Sequence, residues 1–330
     1  MKWLVEIVGL TVRFPLMSRF MARLKGRDFH EIDAVADVSL TIRPGETYAL
    51  VGESGSGKST LARAVNGLVE PTPESSIVFN GRDVAAMSPA NFKAYRRQMA
   101  MVFQDPVGSL SPRMTVGDQL AEPFVAHGLR DRDLKAECGR LLDMVGLPPD
   151  FAGRYPHELS GGQARRVGVA RALALDPKLV IADEPTAGLD VSIQGEVLNL
   201  LNELQERFGL TLLIITHNLH IVRHVADRTA IIYLGRIVEE GPTDRIFSAP
   251  RHHYTRALLS AAPEPDPDAV RTRIELKGEV PSLARRPDGC EFHTRCPKAQ
   301  DVCATERPEE TTDGERRYRC FFPVLHEESG

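Results

Sequence analysis

The sequence predicts an α/β fold: a mostly parallel sheet, an inserted helical subdomain and a small cysteine-rich C-terminal extension. Three observations carry that expectation. Short apolar strand candidates alternate with helical segments, as in parallel strands buried on both faces. Strand signals vanish between about residues 109 and 161, where 115–127 and 133–145 carry helical periodicity. Four of the five cysteines fall between residues 290 and 320.

Residues 3–8 read as the first strand. They do not read as a signal peptide, because Glu6 interrupts the apolar stretch and no small-residue cleavage site follows. Residues 36–42 read as the second strand, after a basic insertion at 19–30. Residues 47–51 (T-Y-A-L-V) read as a buried strand and 59–68 as a helix. Between them stands Gly52-Glu53-Ser54-Gly55-Ser56-Gly57-Lys58-Ser59-Thr60, which fits G-x-x-x-x-G-K-[ST]. Its glycines let backbone N–H groups close around phosphate oxygens, and the helix N-terminus adds positive potential. Lys58 is expected to reach the β/γ-phosphates, and Ser59 to offer its hydroxyl to Mg²⁺.

Residues 77–80 with Gly81 read as a strand and turn, and 100–103 as a short strand ending at Gln104. After the helical stretch, 162–175 reads as a helix, 179–182 (L-V-I-A) as a strand, 192–208 as a helix, and 210–216 and 229–234 as strands. Such a sheet takes its ligand at the carboxyl ends of the strands. A Pro/acid linker at 261–268 separates a main domain, 1–260, from a tail, 261–330. The tail is polar, turn-rich and too poor in aliphatics to build a core without a staple.

At 42% hydrophobic and 26% charged, the composition suits a globular protein with a full core. A net charge of −4 gives no electrostatic footprint for nucleic acid. No apolar run approaches the ~18 residues of a membrane span. The chain is expected in the cytosol, where a cysteine cluster favours metal binding over disulfides.

Two further motifs carry chemistry. Asp183 and Glu184 end the buried 179–182 strand, where paired carboxylates are costly without a cation. Asp183 is expected to hold Mg²⁺ through water, and Glu184 to polarise the attacking water. Leu159-Ser160-Gly161-Gly162-Gln163 opens a helix as a second anion cradle, twenty residues upstream of the acidic pair. His217 ends the apolar run L-L-I-I-T.

In this order the motifs resemble the ATP-binding-cassette ATPase family over roughly residues 1–260. The resemblance implies a P-loop NTPase core with antiparallel N-terminal strands. It makes 52–60 Walker A, Gln104 the Q-loop, 159–163 the signature, 180–184 Walker B, Gly188-Leu189-Asp190 the D-loop, and His217 the switch histidine. It implies that two cassettes pair head to tail, so that Ser160, Gly161, Gly162 and Gln163 serve the partner's nucleotide. It also implies that Gln104 senses the nucleotide and its Mg²⁺ and couples to membrane subunits, and that His217 contacts the γ-phosphate. The family's adenine-stacking aromatic falls on Phe14, with Phe29 as rival because of the insertion.

The tail carries a narrower resemblance. G-C-E-F-H-T-R-C-P-K-A-Q-D-V-C, with Cys320 beyond it, is similar to the C-terminal extension of oligopeptide/dipeptide importer ATPases. So are V-F-Q-D-P-V-G-S-L-S-P-R-M-T-V-G, Y-P-H-E-L-S-G-G-Q and H-Y-T-R-A-L-L. R-R-Q-M-A-M-V-F-Q-D-P and the insertion before the P-loop resemble the F-type of the two paired subunits. Ala164-Arg165-Arg166 stands where that type usually has Arg-Gln-Arg, and A-G-L-D where it has S-A-L-D. Cys290, Cys296, Cys303 and Cys320 are spaced C-x5-C-x6-C-x16-C, which suits Zn²⁺ or an iron–sulfur cluster. The resemblance favours [4Fe–4S]. Cys138 is expected to pack in the helical subdomain, and Arg285, Arg286, Arg316, Arg317 and Arg319 to form a solvated face.

The implied function is an ATPase subunit of a membrane importer for di- and oligopeptides or related solutes. It would lie on the cytoplasmic face of the inner membrane with a second, non-identical ATPase and two permeases. An extracytoplasmic solute-binding protein would act indirectly, and nucleic acid would not be a partner. The competing class is a soluble cassette ATPase acting on ribosomes or DNA; the single cassette, the lack of a heptad run and the lack of a strongly basic face weigh against it.

Overall fold

The computed structural model describes residues 2–16, 31–102, 105, 108–129, 131–188, 191–261, 274–276 and 278–325. Gln104, Asp190, Phe29, the whole basic insertion and most of the Pro/acid linker lie outside the described residues.

Strands β1 (Val5–Pro15) and β2 (Glu31–Ile42) pair antiparallel, and with β4 (Ser76–Phe79) and β5 (Arg82–Asp83) make a sheet ordered β2-β1-β4-β5. Both long strands outrun the apolar segments that signal them in the sequence. Their outer rungs are polar cross-strand pairs, such as Arg13 opposite Asp33 with Nε–Oδ1 at 2.7 Å.

The central sheet has β3 (Thr47–Val51), β6 (Met99–Val102), β7 (Leu179–Asp183), β8 (Thr211–Thr216), β9 (Arg228–Tyr233) and β10 (Arg236–Pro242). A tail hairpin, β11 (Thr311–Asp313) and β12 (Arg316–Tyr318), completes the order β11-β12-β10-β9-β3-β8-β7-β6. From β9 to β6 every pair is parallel, and β10 and the hairpin add on antiparallel. β3, β7 and β8 are buried at every position, which is why they read as continuous apolar runs.

Period-two alternation splits β3 between two cores. Leu50 faces the antiparallel sheet and helix α1 (Lys58–Val65), while Ala49 and Val51 face the opposite side with Ile231, Tyr254 and Phe292. Helix α2 (Pro89–Arg97) closes the first core through Tyr95, which lies edge-on to Phe79 at 5.3 Å. The inserted subdomain is helical as expected, with α3 (Val116–Ala126) and α4 (Leu134–Met144). Thr115 and Asp118 form a capping box at the start of α3, and Asp133 caps α4. Cys138 packs there beside Leu141 and Leu142. Helices α5 (Gly161–Leu173) and α6 (Val191–Phe208) join this core to the sheet, and α7 (Leu219–Val225), α8 (Thr243–Ser248) and α9 (His253–Ala261) line the far side.

The tail arginines are not a solvated face. Arg317 pairs with buried Glu240, which also takes Arg228 Nη2 at 2.5 Å. Arg316 is buried and reaches the Ala249 carbonyl and Asp313, while Arg286 donates to the Asp33 carbonyl at 2.6 Å. Strand β10 carries two fully buried glutamates: Glu239 accepts the Arg251 and His252 N–H groups, and Glu240 takes one cation from β9 and one from the tail. Arg285 alone of the five is exposed.

Candidate nucleotide site

Strand register assembles the site. Val51 lies opposite Thr216, and Asp183 opposite Ile215, so the P-loop, Glu184 and His217 leave the sheet at one level. The loop needs its glycines. A Cβ at Gly52 would stand 2.3 Å from the Ile232 carbonyl, and one at Gly57 2.3 Å from that of Ala34, where φ is also +99°. Helix α1 begins immediately after Gly57, with no side-chain cap on its first N–H groups.

Lys58 is buried, and its Nζ donates to the Gly52 and Glu53 carbonyls at 2.8 and 2.9 Å. Burial lowers its pKa, against the pull of Glu184, Asp183 and Glu53. Ser59 Oγ donates to Asp183 Oδ1 at 3.1 Å. Burial raises the pKa of Asp183, and the Ser59 hydrogen bond works the other way. A buried carboxylate so placed beside a hydroxyl fits a divalent cation bridging to phosphate oxygens. Glu184 adopts φ +48°, a costly backbone for a non-glycine residue. Its N–H is held by the Ile215 carbonyl at 2.8 Å, and its Oε1 lies 3.1 Å from His217 Nδ1.

Gly52 to Thr60, Glu184 and His217 line one cavity of about 580 Å³, with Ala34, Leu258 and Leu283 as its aliphatic wall. The signature turn lies elsewhere. Ser160 caps α5 through a capping box with Gln163, and Ser160 and Gly161 are exposed. Phe14 stands on β1 opposite Ile32, partly exposed, and does not line the cavity. The sequence reading missed the tail's part in this site. Leu283 comes from it, and Arg295 forks onto Glu53. Only the C-x-F-x-x-R-C-P spacing, with an arginine inside the cysteine cluster, signals it.

The four tail cysteines line a second, small cavity with His293, Phe292 and Lys298. Gly289, at φ +63°, allows the turn that brings the Cys290 N–H to the Cys303 carbonyl at 2.8 Å. Burial pushes the Cys290 thiol up to about 11 and the Cys320 thiol up to about 12. Four thiols without a lining carboxylate are a donor set for a soft metal centre. Among the described residues, however, no three His, Cys, Asp or Glu side chains converge on a single ion position.

Residues 35–187 match the ABC transporter family, and residues 238–303 match the oligopeptide/dipeptide transporter C-terminal region. A putative peptide import ATP-binding protein of Brucella ovis is 51% identical over 297 residues, covering 89% of this chain and 93% of its own. The oligopeptide transport ATP-binding protein AppF of Bacillus subtilis is 47% identical over 312 residues, covering 93% of each chain. Among solved structures, a dimeric ATP-binding cassette in a post-hydrolysis state with ADP and Pi superposes with TM-score 0.62 at 28% identity, covering 72% of this chain and 98% of its own. CbiO1 of Clostridium perfringens, part of the CbiONQ transporter complex, gives TM-score 0.64 at 27% identity over 76% of this chain and 92% of its own.

Proposed function

The chain belongs to the ABC transporter family, and from that premise we infer that it hydrolyses ATP to drive import of di- and oligopeptides. The observation that carries this reading is one polypeptide holding both the phosphate cradle and the oligopeptide/dipeptide transporter region at 238–303.

In the proposed mechanism backbone N–H groups of the loop up to Lys58 receive the phosphates, that of Ser56 turning from the Glu53 carbonyl it meets at 3.2 Å, and Lys58 Nζ turns from the loop carbonyls to the β- and γ-phosphate oxygens. Ser59 and Asp183, with Gln104 proposed as a further ligand, would hold Mg²⁺, which would supply charge neutralisation at the phosphates. Glu184 takes the proton of the attacking water, held in orientation by its backbone hydrogen bond and by His217. The chain positions and polarises, and forms no covalent bond to the phosphoryl group. The Ser160–Gln163 turn, exposed at Ser160 and Gly161, supports a second role, capping the ATP of a paired cassette, and we propose that Asp190 serves the same interface. We propose that this chain is the F-type member of a pair with a second ATPase subunit, with two permeases on the membrane side and a solute-binding protein beyond them. Among the described residues no helix is long and apolar enough to cross a membrane, which agrees with peripheral docking at the cytoplasmic face through those permeases.

Reconstituted with its two permeases, paired ATPase and binding protein, the chain is expected to hydrolyse ATP faster when the binding protein carries peptide. Hydrolysis indifferent to peptide, with the chain recovered on ribosomes instead of with permeases, would overturn the reading.

For the cysteine cavity we propose a [4Fe–4S] cluster over Zn²⁺. The support is four thiols lining one cavity in a tail that matches the oligopeptide/dipeptide transporter C-terminal region. Protein purified without oxygen is then expected to be brown, with about four iron per chain. Colourless protein with one zinc per chain would decide for zinc.

A further inference from the structure

Glu53 is the second residue of the phosphate loop, and a carboxylate there faces the charge of the ligand the loop is built for. All three of its polar groups are engaged. Its N–H donates to the Tyr254 hydroxyl at 3.0 Å, and its carbonyl accepts from Lys58. Its side chain is gripped by Arg295 from the tail, with Nη1–Oε2 at 2.8 Å and Nη2–Oε1 at 3.2 Å. That is the two-pronged geometry in which a guanidinium fixes a carboxylate most firmly.

Arg295 is itself well anchored. Its side chain is 8% exposed, against 25% for Glu53, and it lies 6.0 Å from the Tyr233 ring. Tyr233 packs edge-on to Phe292 at 5.4 Å, three residues before Arg295, and Phe292 also packs on Tyr254 at 5.4 Å. The tail therefore touches the loop through a rigid aromatic block, with Leu283 in the cavity wall as a second contact.

We propose that Arg295 is a positioning residue of the nucleotide site, holding the Glu53 carboxylate away from the phosphates so that ATP affinity depends on the C-terminal extension. This rests on the cavity being the ATP site. When the guanidinium is removed, the carboxylate is free to swing toward the cradle, and its charge then opposes that of the triphosphate. Arg295 is remote from the reacting atoms, so the effect falls on ground-state binding.

The test is equilibrium binding of mant-ATP with Mg²⁺ to the full-length chain, together with steady-state hydrolysis. Arg295→Ala is expected to weaken binding roughly tenfold or more, the scale of one like-charge contact near a protein surface, raising KM with kcat little changed. In a Glu53→Gln background the same substitution is expected to cost almost nothing, because no carboxylate remains to restrain. Arg295→Lys, which keeps the charge but not the fork, should fall between. Equal affinity of wild type and Arg295→Ala would overturn the proposal. So would an undiminished loss in the Glu53→Gln background, which would make Arg295 a packing residue against Tyr233. If Arg295→Ala does not fold, Arg295→Lys compared in the wild-type and Glu53→Gln backgrounds carries the same comparison. A wild-type chain that fails to bind mant-ATP would instead fall on the assignment of the cavity.

Discussion

The Glu184→Gln protein is expected to bind ATP with Mg²⁺ as well as wild type and to hydrolyse it at least ~100-fold more slowly, the range set by loss of a general base. Glutamine keeps the shape of the side chain and an oxygen for His217, which stands 3.1 Å from Glu184 Oε1. It keeps the backbone hydrogen bond to Ile215 and meets the same strained φ, so local folding should not change. It cannot take a proton from water. Phosphate release measured beside nucleotide binding separates the two effects, and hydrolysis within a fewfold of wild type would remove Glu184 from the role of base.

Lys58→Ala is expected to abolish useful binding. Among the described residues Lys58 is the only lysine or arginine lining the cavity, which also holds Glu53 and Glu184, with Asp183 hydrogen-bonded to Ser59. Removing one member of a buried charge set costs about 2–5 kcal/mol, or at least ~30-fold in affinity. Burial disfavours the charge on Lys58, while Glu184, Asp183 and Glu53 favour it. The check is a nucleotide titration, with thermal unfolding of the apo protein as control. Retained affinity would mean that the loop's N–H groups suffice.

The parts legible in the sequence are those whose cause is local. β3, β7 and β8 announce themselves because burial on both faces leaves no room for polar residues. The phosphate loop and the carboxylate pair are legible because each is built from consecutive residues. What escaped reading is nonlocal. Strand β10 reads R-I-V-E-E-G-P, and its two buried glutamates look like surface until Arg228, Arg317 and the Arg251 and His252 amides arrive to satisfy them. The tail arginines misled for the same reason, seen from the other partner. Arg295 and Glu53 stand 242 residues apart, and no periodicity links them. Phe14 pairs opposite Ile32 on β1, outside the phosphate-cavity lining, and its rival Phe29 lies outside the described residues.

The hairpin of residues 311–318 has a bearing on solubility. The outer margin of β10 would otherwise offer unpaired amides and carbonyls to any passing chain, a template for sticking and misassembly. β12 covers that margin, and β11 ends the ladder with three exposed polar residues, Thr311, Thr312 and Asp313, too short and too hydrophilic to recruit another strand. The extension thus behaves as a stopper on the sheet. A version of the protein trimmed at the linker for convenience of expression would lose that stopper along with the cysteines, and its poor behaviour could be mistaken for a failure of the cassette itself.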